Sequence, residues 1–60
     1  MNVKLARIKL GITQSELCKR IKMSPKKLCE IEKGNTDSIT LGQMKKLSNE
    51  LNVSIQELFF

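Results

Sequence analysis

Histidine, tryptophan and tyrosine are absent from this 60-residue chain, and its only aromatic residues, Phe59 and Phe60, stand at its end. Without histidine, the commonest acid–base group and metal ligand near neutral pH is missing. Cysteine is scarce. Cys18 and Cys29 form no C-x-x-C redox pair, and two thiolates do not complete the four-ligand set of a small zinc site. Two free thiols in a reducing compartment are therefore expected, which implies an intracellular, cytoplasmic protein with no metal and no cofactor. No segment approaches the ~20 apolar residues of a membrane span, and no basic-then-apolar leader opens the chain. Acidic residues are few, six against eleven basic, for a net charge of +5. That surplus favours an anionic partner, nucleic acid first.

Hydrophobic residues make up 40% of the chain, enough for one small core and one domain over residues 1–60. A chain of this length buries only about 60% of the surface it exposes when unfolded. Its core supplies roughly 3–5 kcal/mol.

Strand signals are missing as well: no run alternates with period two. Helix starts recur instead. Thr13 with Glu16, Thr40 with Gln43 and Ser54 with Glu57 each have the spacing of a capping box, which satisfies two orphaned backbone N–H groups. Ser24-Pro25 opens a further helix, with serine as cap and proline where its missing N–H costs nothing. Gly11 and Gly34 fall where helices should end. These signals predict five short helices, at about 2–10, 14–21, 25–33, 41–51 and 55–59. Helical spacing groups Val3, Ala6 and Leu10; Leu17, Cys18 and Ile21; Leu28 and Ile31; and Leu41, Met44, Leu47 and Leu51 into stripes expected to meet in one core.

The helix beginning at Pro25 breaks a local rule. Lys26 and Lys27 sit in its first turn, where the helix dipole is positive and a cation costs ~0.3–1 kcal/mol. Broken local rules concentrate at functional sites, and an anionic partner would relieve this one. The charge is also segregated. Residues 1–29 hold eight basic and one acidic residue (+7), and residues 30–60 hold three basic and five acidic (−2). Glu32 and Arg7 lie at the edges of their apolar stripes. A carboxylate withdrawn from water needs a partner, and arginine binds one bidentately, so an Arg7–Glu32 ion pair is predicted between the first and third helices.

The run Arg7-Ile-Lys-Leu-Gly-Ile-Thr-Gln14, then Glu16-Leu-Cys-Lys-Arg-Ile21, Ser24, Leu28 and Ile31-Glu-Lys-Gly34 resembles the Cro/repressor-type helix-turn-helix. This is the xenobiotic-response-element family of bacterial and phage regulators. The tail from Leu41 to Phe59 is similar to the end of the same domain, so the resemblance spans essentially the whole chain. It implies an all-α, five-helix, lambda-repressor-like DNA-binding domain in which the second and third helices form the helix-turn-helix. The second helix would cross the DNA backbone and the third would lie in the major groove. By position, Pro25, Lys26, Lys27 and Glu30 match base-facing sites. Gln14 matches a residue that bonds a phosphate and steadies the recognition helix. Lys33 and Asn35 match backbone-contacting sites, with Thr13, Lys22 and Thr36 as weaker phosphate candidates. The Arg7–Glu32 pair coincides with a family ion pair. The chain departs from the pattern at Cys18 (usually Ala), Lys22 (usually Gly), Pro25 (usually a hydrogen-bonding side chain), Ser48 (usually Ala) and Asn52 (usually Gly).

The chemistry fits this division of labour. Lysines donate to guanine O6 and N7, and glutamate accepts from cytosine N4, which points to G·C pairs. The expected function is a sequence-specific double-stranded DNA-binding regulator, a repressor rather than an enzyme, acting as a homodimer. Phe59 and Phe60 are the favoured dimer surface, and Leu5 and Ile8 the other candidate. The competing expectation is a protein-binding module, such as the antitoxin of a toxin–antitoxin pair, holding its partner at Leu5 and Ile8.

Overall fold

The structure is a computed structural model that describes residues 2–60. Five helices follow in order: α1 Val3–Lys9, α2 Gln14–Ile21, α3 Pro25–Glu32, α4 Leu41–Leu51 and α5 Ile55–Phe59. Among the described residues there is no strand, and no helix is long and apolar enough to cross a membrane. Three predicted limits shift by a residue. Asn2 is the cap of α1 rather than part of it, α1 ends at Lys9 with Leu10 closing it, and α3 ends at Glu32 with Lys33 closing it.

Every helix start carries a side-chain cap, on Asn2, Thr13, Ser24, Thr40 and Ser54. The boxes at Thr13/Glu16 and Thr40/Gln43 are reciprocal. The one expected at Ser54/Glu57 is half made: the Ser54 hydroxyl accepts the Glu57 N–H, and no return bond from the Glu57 side chain is present.

The ends of α1 to α4 share one device, a left-handed residue followed by a backbone N–H that reaches back five residues. Gly11 and Gly34 take the left-handed position after α1 and α3; Lys22 and Asn52 take it after α2 and α4, at φ 55° and 56°. The returning bonds are Ile12 N–H to the Arg7 carbonyl, Met23 to Cys18, Asn35 to Glu30 and Val53 to Ser48. This is the Schellman geometry. Left-handed backbone costs a residue with a Cβ about 1–2 kcal/mol. Glycine avoids that cost but loses about 0.5–1 kcal/mol to its freer unfolded state. Lys22→Gly is thus expected to stabilise the protein by about 0.5–1 kcal/mol and raise Tm by about 4 °C, measured by thermal denaturation; an unchanged or lower Tm would show that no strain resides there.

The core gathers Val3, Ala6, Leu17, Cys18, Ile21, Met23, Leu28, Ile31, Leu47, Leu51 and Leu58. Ile12, Ile39, Val53 and Phe59 pack against its edge. α2 packs on α3 and α4, and α1 packs on α3, α4 and α5, so α2 and α3 are backed by the other three. Three stripe members stay out of the core. Leu10 and Leu41 are exposed at 49% and 60%, and Met44 is half-buried. Leu10 closes α1 and Leu41 begins α4, so each lies at the end of its stripe, beyond the middle turns that the neighbouring helices cover. Both cysteines are free thiols. Burial raises the Cys18 pKa and the Glu32 charge raises it further, so Cys18 is an unreactive core residue at neutral pH.

Candidate nucleic-acid interface

The anchor of α3 is a three-helix polar knot. Arg7 Nε donates to Glu32 Oε2 at 2.8 Å, Arg7 Nη2 reaches Oε1 at 3.4 Å, and Arg7 Nη1 donates to the Ile12 carbonyl at 3.0 Å. Gln14 Nε2 donates to Glu32 Oε1 at 2.8 Å. The Arg7 and Glu32 side chains are only 13% and 5% exposed, so the predicted ion pair is present and well shielded. The knot fixes the last residue of α3 to α1 and to the first residue of α2. Gln14's partner, Glu32, had no signal in the sequence beyond the spacing of the resemblance.

The other end of α3 is open. Ser24 caps it through the Lys27 N–H at 3.2 Å, and Pro25 occupies the first turn. No acidic residue lies in that turn. Pro25 and Lys26 are exposed, Lys27 and Glu30 are half-buried, and Lys33 is exposed just beyond the helix. A stripe along α3 thus presents cations at both ends, with one carboxylate between them.

Five of the candidate residues, Thr13, Gln14, Lys27, Glu30 and Asn35, have side-chain partners within the protein. Lys27 Nζ donates to the Ser38 hydroxyl. Glu30 Oε2 accepts from Asn35 Nδ2 at 3.0 Å. The Thr13 hydroxyl is occupied by the capping box, accepting the Glu16 N–H at 3.1 Å. Lys26 has no such partner among the described residues.

Not every candidate joins this stripe. Lys22 lines a shallow groove with Arg20, Lys46, Asn49 and Glu50, between α2 and α4; there Arg20 and Glu50 approach at 3.9 Å, and both are substantially exposed. Thr36 is half-buried and lines a depression with Asn2, Lys33, Leu58 and Phe59, behind the end of α3.

The C-terminal phenylalanines line one surface depression but differ in exposure. Phe59 packs against the core, whereas Phe60 is 89% exposed. Phe60 shares a surface depression with Asn2, Leu5 and Glu57. Leu5 of α1 thereby meets the chain end, whereas Ile8 does not line this depression. Leu5 is 55% and Ile8 54% exposed.

A family model described as helix-turn-helix matches residues 3–58 of the chain. Comparison with curated proteins and with solved structures finds no match.

Proposed function

Because the chain belongs to the Cro/C1-type helix-turn-helix family, a family of DNA-binding domains, we propose that it is a transcriptional repressor that reads double-stranded DNA with α3 in the major groove. The observation that carries this reading is the exposed Lys26 beside Lys27 at an acid-free helix start, on a helix whose far end is locked by Arg7 and Gln14. Rigidity at one end and unneutralised positive charge at the other suit a reading element. Lys26 and Lys27 donate to guanine, and Glu30 accepts from cytosine. Lys33 and the start of α2 at Gln14 meet phosphates, which set register without specifying sequence. Thr13, Lys22 and Thr36 are weaker phosphate contacts.

One recognition helix reads a short site, so the protein acts as a two-fold dimer on half-sites about 34 Å apart. Phe60 and Leu5 form the dimer surface, with Phe59 supporting it from below and Glu57 at its rim. A second reading, a module that holds a different protein, draws on the same exposure of Leu5 and Ile8.

Selection of bound duplexes from a random pool at stated salt tests the proposal. The expected product is an inverted repeat of G·C-containing half-sites spaced by one helical turn. Recovery of no preferred sequence refutes it, because non-specific binding by a basic protein is itself salt-sensitive. Phe60→Ser should shift the protein to monomer in analytical ultracentrifugation at tens of micromolar and weaken the full site by about 100-fold or more. A wild-type monomer whose DNA affinity is indifferent to Phe60→Ser would favour the protein-binding reading.

A further inference from the structure

Resting on the DNA reading above, we infer that Asn35 and Ser38, in the segment after α3, are positioning residues that aim Glu30 and Lys27 at their base pairs. Two observations support this. Each side chain holds one member of the reading stripe: Asn35 Nδ2 donates to the Glu30 carboxylate at 3.0 Å, and the Ser38 hydroxyl accepts from Lys27 Nζ. In addition, the end of α3 departs from the other three helix ends that share its geometry.

The residue that reaches back is Ile12 after α1, Met23 after α2 and Val53 after α4, and each is buried or half-buried. An apolar residue is the usual choice there, because it packs on the last turn it returns to. After α3 the same place holds Asn35, which is exposed. Its backbone N–H bonds the Glu30 carbonyl at 3.0 Å while its side chain bonds the Glu30 carboxylate. Asn35 therefore grips Glu30 twice, once through the backbone and once through the amide. An apolar residue would keep the first bond and lose the second, so the helix end itself does not require asparagine. What asparagine adds is a fixed rotamer for Glu30.

A long side chain on a helix surface must otherwise be ordered when DNA binds, at a cost in conformational entropy. The Asn35 amide also leaves one carboxylate oxygen of Glu30 without that bond, available to accept from a cytosine amino group. Lys27 has three donors; Ser38 occupies one and leaves two. Both contacts orient the readers without consuming their capacity. Ser38 and Asn35 thereby act through other residues, and the phosphate role suggested for Asn35 is not needed to explain its presence.

The test compares selections from a random duplex pool for the wild type, Asn35→Ala, Ser38→Ala and Ser38→Thr. Asn35→Ala should lower the preference at the base pair read by Glu30 by about tenfold, with affinity for random duplex and its salt slope unchanged. Ser38→Ala should do the same at a different base pair, the one read by Lys27, and Ser38→Thr, which keeps the hydroxyl, should restore the preference. In a Glu30→Ala background, Asn35→Ala should add nothing. The inference is overturned if Asn35→Ala and Ser38→Ala select the wild-type sequence with wild-type sharpness. It is equally overturned if Asn35→Ala weakens all duplexes alike and reduces the salt slope, the signature of a phosphate contact. A wild type that selects no sequence would instead remove the DNA reading on which the inference rests.

Discussion

Arg7→Ala is expected to cost about 3–5 kcal/mol, because it leaves the Glu32 carboxylate shielded from water with one charged partner removed. Of the three side-chain donors now on that carboxylate, only the Gln14 amide would remain. The loss also frees the Ile12 carbonyl, which accepts from Arg7 Nη1. A core of this size supplies roughly 3–5 kcal/mol in all, so the variant should be substantially unfolded at 25 °C, as followed by circular dichroism in urea. Arg7→Lys should recover only part of the stability: one ammonium does not reproduce a planar fork that bonds Glu32 twice and a carbonyl once. Replacing both partners by apolar residues of similar volume, Arg7→Met with Glu32→Leu, should be close to neutral. That contrast separates the penalty of an orphaned charge from the worth of the pair. A denaturation midpoint for Arg7→Ala within error of the wild type would show that the knot does not hold α1, α2 and α3 together.

The parts of the fold that could be read from the sequence are those fixed by local chemistry. A cap needs its own side chain a set distance from a backbone N–H, so Thr13, Ser24 and Thr40 announced α2, α3 and α4. At Lys22 only the resemblance gave a signal, a place where glycine is usual, and the structure shows the left-handed backbone there. Leu10 and Leu41 were misread because periodicity identifies the face of a helix but not how far its neighbours extend along it. Met23 was overlooked for the converse reason: it lies between helices, outside any stripe, yet is buried by the turn it follows.

The interface divides in the same way. Lys26 was legible because its position in the first turn violates a local electrostatic preference, and Arg7–Glu32 because buried charges require partners. The Asn35–Glu30 and Lys27–Ser38 contacts were not, since each depends on how the 33–40 segment folds back along α3. The difference in exposure between Phe59 and Phe60 depends on where α5 docks.

Lys26 and Lys33 carry the same charge at opposite ends of the reading stripe, so exchanging each for alanine distinguishes base reading from backbone attraction. Lys26 lies in the first turn of α3, exposed and without a protein partner among the described residues, where the major groove would meet the helix start. Lys26→Ala should therefore lower discrimination at one base pair by about 1–3 kcal/mol, the range of a good side-chain contact to a base edge. Affinity for random duplex should change little by comparison. Its effect on folding should have the opposite sign: removing a cation from a positive helix terminus is worth about 0.3–1 kcal/mol of added stability. A variant that folds better and reads worse shows that the lysine is retained for the ligand. Lys33 stands past the last turn, where a cation suits the helix dipole. Lys33→Ala should weaken all sequences alike, lower the salt slope by about 1, and leave the selected sequence unchanged. Titration of a selected and a random duplex at several salt concentrations, alongside thermal denaturation, provides all of these quantities. If Lys26→Ala weakens both duplexes equally, it is a phosphate contact, and base reading belongs to the later turns of α3.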